Sequence, residues 1–137
     1  MTTVNAVNYV DNGAGFDNEL SYTKLVYDFA GGDIGGIADV VKLGKFSDKV
    51  IMKQAIVRVA TAVTSDGSAT IDVGFTGGDT DFFVAAKAPA ALTADAIIAE
   101  TTNIPVVIAA DTEIQLSVAT AALTAGKVEL HIWYRKA

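Results

Sequence analysis

The chain has 137 residues, 51% hydrophobic and 19% charged, the composition of one folded domain rather than of a disordered chain. Its net charge of −6 and pI near 4.5 argue against nucleic acid and anionic membranes as partners, since both select cationic surfaces. With no cysteine it has no disulfide framework and no thiolate nucleophile or metal ligand, and because alanine supplies much of the apolar content, a thin core that gains from association is expected.

The first residues, Met1-Thr2-Thr3-Val4-Asn5-Ala6-Val7-Asn8, lack the basic and apolar regions of a signal peptide. A strand is expected near Thr2–Val10. Residues 1–15, with the turn-forming Asp11-Asn12-Gly13-Ala14-Gly15, read as an extended N-terminal arm of a single domain spanning 1–137. Over Ser21–Ala30, Leu25, Tyr27 and Phe29 alternate with Lys24, Val26 and Asp28, the pattern of a strand with one buried face.

Gly31-Gly32-Asp33-Ile34-Gly35-Gly36 follows. It does not fit Gly-x-Gly-x-x-Gly, and neither Gly44-Lys45-Phe46 nor Gly126-Lys127-Val128 carries the hydroxyl a phosphate loop needs after its lysine. The segment reads as a mobile loop, or one that orders against a partner, so Gly31, Gly32, Gly35 and Gly36 are candidate interface residues. Strands are expected next near Asp39–Leu43, Ile56–Val63 and Ser68–Phe75, the last two joined as a hairpin by Ser65-Asp66-Gly67. Lys53, Gln54 and Arg58 interrupt the apolar run from Val50, and Lys87, Pro89 and Asp95 that from Phe82, so neither spans a bilayer.

Gly77-Gly78-Asp79-Thr80-Asp81 places two carboxylates on a turn, with Asp72 upstream. That chemistry suits a hard cation, but the ligand series and closing glutamate of a calcium loop are missing, so the turn reads as solvated and no metal or cofactor is assigned. Strands are expected near Asp81–Ala86 and Pro105–Ala109, while the Ala-rich Ala90–Glu100 is open between a short helix and a strand. Ala90-Ala91-Leu92-Thr93-Ala94-Asp95 echoes Ala121-Ala122-Leu123-Thr124-Ala125-Gly126, through either a duplicated hairpin or similar turn chemistry reached twice.

In Asp111–Thr120, Ile114, Leu116 and Val118 share a face. In Lys127–Arg135, Val128, Leu130, Ile132 and Tyr134 alternate with Glu129, His131, Trp133 and Arg135, and Thr124-Ala125-Gly126 is expected to join these two strands as a hairpin. His131, the sole histidine, lies on the polar face of its strand with no Gly-x-Ser-x-Gly elbow elsewhere, so no catalytic residue is assigned. Trp133 is open between an exposed interface position and a second buried face. With His131 and Arg135 it completes the candidate interface set. About eight short strands with frequent turns make an all-β domain, a β-sandwich or jelly roll of antiparallel strands.

Ala60–Gly74, Gly77-Gly78-Asp79-Thr80-Asp81-Phe82-Phe83, Ala110-Asp111-Thr112-Glu113-Ile114 and Ala122–Leu130, with Val40-Val41-Lys42-Leu43-Gly44-Lys45-Phe46 upstream, resemble small virion surface proteins of tailed bacteriophages. The resemblance covers roughly Asp39 to Tyr134 and is to capsid decoration (cement) and head-fibre proteins. It implies a β-sandwich on the outer capsid surface, commonly a homotrimer, that binds the major capsid protein and stabilises contacts between its subunits, without catalysis. A carbohydrate-binding sandwich, or a tail or fibre component, is the alternative, with Trp133, Tyr9, Tyr22 and the Asp79–Asp81 turn as sugar-contacting candidates.

Overall fold

The structure, a computed structural model, describes residues 20–137. The expected Thr2–Val10 strand, the 1–15 arm and Tyr9 lie outside the described residues.

Among the described residues, nine strands form two antiparallel sheets: β1 (Ser21–Asp28), β2 (Val40–Phe46), β3 (Val50–Ser65), β4 (Thr70–Phe75), β5 (Val84–Lys87), β6 (Ile97–Glu100), β7 (Val106–Ile108), β8 (Thr112–Ala119) and β9 (Leu123–Lys136). One sheet has the order β1-β9-β3-β6, with β7 also paired to β3; the other has the order β2-β8-β4-β5. Consecutive strands cross between the sheets everywhere except at β4–β5 and β6–β7, and with β6 and β7 sharing one side of β3 this five-on-four order is that of a jelly roll. The all-β sandwich expected from alternation is what the chain forms.

The period-2 pattern is satisfied because alternate residues meet across the gap between sheets. Tyr27 of β1, Met52, Val57 and Val59 of β3, and Leu130 and Ile132 of β9 are fully buried, facing Ile71 and Val73 of β4 and Ile114 and Leu116 of β8. Each such side chain contributes about 1.5–3 kcal/mol of hydrophobic stabilisation. The core is therefore built from branched aliphatics and not thinned by alanine, since Ala55 and Ala69 are the alanines among its buried members. Ala85, Ala90, Ala99 and Ala110 are instead exposed.

Two expected hairpins are corrected. Ser65-Asp66-Gly67 turns a corner, because β3 pairs with β9 in one sheet and β4 with β8 in the other. Thr124-Ala125-Gly126 lies inside β9, in a bulged stretch of its pairing with β3, and β8 and β9 belong to different sheets. A buried face on each strand is equally compatible with a hairpin and with a crossover, so alternation could not separate them. Ala90–Glu100 resolves into a single 3-10 turn at Pro89–Ala91 and the strand β6. The Ala-rich echo is not a repeated unit, since its first copy lies in the β5–β6 connection and its second enters β9.

Candidate functional site

The outer face of the five-stranded sheet follows from register, because directly paired residues share a face. Its rows are Val26–Glu129–Arg58–Ile97, Lys24–His131–Ile56–Ala99, Tyr22–Trp133–Gln54 and Arg135–Ile51–Val107. Exposed apolar side chains sit on its edge strands, Tyr22 (50% exposed) on β1, Ile97 (57%) on β6 and Val107 (55%) on β7, flanking Glu129, Arg58, His131, Ile56 and Trp133 on the central strands β9 and β3. The other sheet is different. Its outer rows are Val40–Ser117–Asp72 and Lys42–Gln115–Gly74, and Lys42 Nζ donates to Thr76 Oγ1 (3.1 Å) while Thr76 donates to Gln115 (2.8 Å). One outer face of the sandwich is thus mainly polar, and the other mixes exposed aromatic and aliphatic side chains with charged ones.

A polar chain organises the aromatic face. The Tyr22 hydroxyl lies 2.6 Å from His131 Nδ1, and His131 Nε2 lies 3.1 Å from Glu129 Oε1. Arg58 donates to Glu129 Oε1 (3.2 Å) and to Asp95 Oδ1 (2.7 Å), bridging β9 to the β5–β6 connection. Burial disfavours the charge of Glu129, but hydrogen bonds from His131 and Arg58 outweigh it and hold its carboxyl below the ordinary glutamate value. The rings of Tyr22 and Trp133 sit 5.2 Å apart, tilted by 44°, and His131 is 6.3 Å from Trp133 at 23°. Trp133 thus lies on the outer face, half-covered by its ring neighbours, and is not part of the core. At the foot of β9, the Arg135 Nε is buried with no hydrogen-bond partner among the described residues.

The candidate interface residues fall in two places. His131, Trp133 and Arg135 share the outer face; Gly31, Gly32, Gly35 and Gly36 lie in the β1–β2 connection, at the far end of β1 from Arg135. That connection is tied to the body: Tyr27 donates its hydroxyl to Ile34 O (3.0 Å), Leu123 N donates to Gly35 O (2.7 Å) and Ala38 N to Val118 O (2.9 Å). Sequence reasoning missed Tyr22, Arg58 and Asp95 as members of the His131 cluster; β1, β3 and the β5–β6 connection bring them there, and no local motif marks them.

The Asp79–Asp81 turn sits on the β4–β5 connection, outside the His131 cluster. Hydrogen bonding with Asp79, and then its negative charge, raises the Asp81 pKa, the response of two crowded carboxylates. Among the described residues, no group of three or more His, Asp or Glu side chains could hold a metal ion.

No protein-family model matches the chain, and no curated protein matches its sequence. Its fold is shared with chains of solved phage capsids. One belongs to the cyanophage Pam1 capsid asymmetric unit, at 18% identity and TM-score 0.65, with 100% of both chains covered. Another belongs to the acid-stable capsid of Helicobacter pylori bacteriophage KHP30, at 13% identity and TM-score 0.61, covering 88% of this chain and 90% of that one. A third belongs to the capsid of Ralstonia phage GP4, at 15% identity and TM-score 0.61, covering 94% and 92%. At these identities the likeness is one of fold.

Proposed function

We propose that this protein is a structural component of a phage virion, a decoration (cement) protein on the outer surface of the head. In this reading it is a homotrimer that binds the major capsid protein, stabilises contacts between capsid subunits and carries out no catalysis. The observation that carries the reading is the unlike chemistry of the two sheet faces on a fold shared with capsid chains. The Lys42–Gln115 face suits solvent, whereas the other face sets Tyr22, Trp133, Ile56 and Ile97 around Arg58, the aromatic, aliphatic and arginine side chains that favour protein contacts. An acidic exterior also repels the nucleic acid a shell encloses. The test is solution mass together with binding to empty phage heads. The expected result is a trimer that binds; a stable monomer without affinity for heads overturns the reading.

The adjacency of Tyr22 and Trp133 favours a second reading, a carbohydrate-binding sandwich on a fibre or tail, in which sugar rings stack on the pair and Arg58 and Asp95 supply polar contacts. A glycan array with and without calcium discriminates, and no binding in either condition removes this reading.

A further inference from the structure

We propose that the β1–β2 connection is a preformed apolar prong that seats Ile34 and Ile37 in a recess of a partner protein whose rim carries lysine or arginine. The partner's identity, a subunit of the phage shell, rests on the virion reading above.

Single exposed apolar side chains are ordinary, but Ile34 (55%), Ile37 (62%) and Val40 (42%) crowd within seven residues. A loose loop would fold such side chains back onto the body; this one is prevented from doing so. Besides the ties to Tyr27, Leu123 and Val118, Asp33 Oδ2 accepts from Asp28 N (2.7 Å) and Asp39 Oδ2 from Gly36 N (2.7 Å), and Val118 N donates to Asp39 O (3.0 Å). Glycine is required at 35, where a Cβ would lie 2.7 Å from the Tyr27 hydroxyl and 3.1 Å from Leu123 Cβ, and a Cβ at Gly36 would lie 2.8 Å from Asp39 Oδ2 and displace that side chain. The backbone is pressed onto the body at Gly35–Gly36, and Ile34 and Ile37 are left outward on either side. A loop held in this way loses little conformational entropy on binding.

Charge identifies the partner. No lysine or arginine occurs between Lys24 and Lys42, and Asp28, Asp33 and Asp39 surround the prong. None of the three is in an ion pair among the described residues. An anionic collar around an apolar tip fits an apolar recess with a cationic rim and is repelled by an anionic membrane. A second copy of this chain is a poor match. Its apolar groove, about 470 Å³ between Phe75, Phe82 and Val106–Ile108, is bordered by Asp79, so the prong and the groove carry charge of the same sign.

The test uses the full-length protein and empty heads of its own phage stripped of this protein. Ile37→Asp and Ile34→Asp should leave the thermal midpoint and solution mass unchanged and weaken head binding by about tenfold or more each. Asp33→Asn and Asp39→Asn keep the acceptors for Asp28 N and Gly36 N but remove charge; they should weaken binding and flatten its decline with added salt. Folded isoleucine variants that bind heads like the wild type overturn the prong and leave the virion reading standing. So does a change in the variants' own solution mass, which would assign the contact to copies of this chain. Wild-type protein that fails to bind heads overturns both.

Discussion

The Tyr22 hydroxyl and His131 Nδ1, 109 positions apart in the chain, lie 2.6 Å from each other on the outer face of the five-stranded sheet. Glu129 can only accept, so His131 Nε2 carries a proton toward it, and in the neutral ring Nδ1 accepts from Tyr22. One imidazole therefore ties β1 to β9 and aligns the ring cluster of Tyr22, His131 and Trp133.

Glu129 should leave its mark on acid stability. A carboxyl held below its ordinary value stabilises the fold above that value, and the contribution is lost as pH falls through the lower folded-state value. Glu129→Gln should cost about 1–2 kcal/mol at neutral pH. In urea titrations from neutral pH to about pH 3, the variant should show the flatter acid limb; equal slopes would contradict the assignment.

Tyr27 predicts the opposite limb. Burial, and then the charges of Asp33 and Asp39, push its hydroxyl up to about 12. Its contribution is thus full below the ordinary tyrosine value and lost as pH rises through the folded-state value. Tyr27→Phe should unfold less steeply in alkali, lose about 1 kcal/mol at neutral pH with the bond to Ile34 O, and speed hydrogen exchange at the Leu123 amide.

Gly74 is the most constrained position of β4. A Cβ there would overlap the backbone of Asp79 and Thr80, which cannot give way as a flexible side chain can. Gly74→Ala should cost about 3 kcal/mol or more, read as a large fall in the denaturation midpoint. A near-neutral result would mean that the Gly77–Asp79 turn moves freely.

Ile97 tests the aromatic face. Because it is exposed, Ile97→Glu should change monomer stability by no more than about 0.5 kcal/mol. If copies associate through this face, the charge should lower the solution mass measured by light scattering; an unchanged mass would move the association elsewhere.

Much of the sandwich was legible because the information is local. In Asp111–Thr120 and Lys127–Arg135, alternate side chains leave a strand on opposite sides whatever it pairs with, so the inward set Ile114, Leu116, Leu130 and Ile132 could be read directly. Glycine-bearing turns likewise marked places where the chain bends. The candidate site was legible only in part: His131 and Trp133 stood out by residue type, while Tyr22, Arg58 and Asp95 carry no signal that they converge.

The sequence by itself determined an acidic, cysteine-free, all-β chain with a defined inward face on each strand, because charge and period are properties of residues and their near neighbours. Only the tertiary structure decided that Ser65–Gly67 turns a corner and that Thr124–Gly126 lies within β9. It alone also showed that Gly35 packs onto Tyr27 and Leu123 while Ile34 and Ile37 are left exposed. Those outcomes depend on which apolar faces meet across the sandwich, a choice made among residues dozens of positions apart, where packing and not local preference sets the energy.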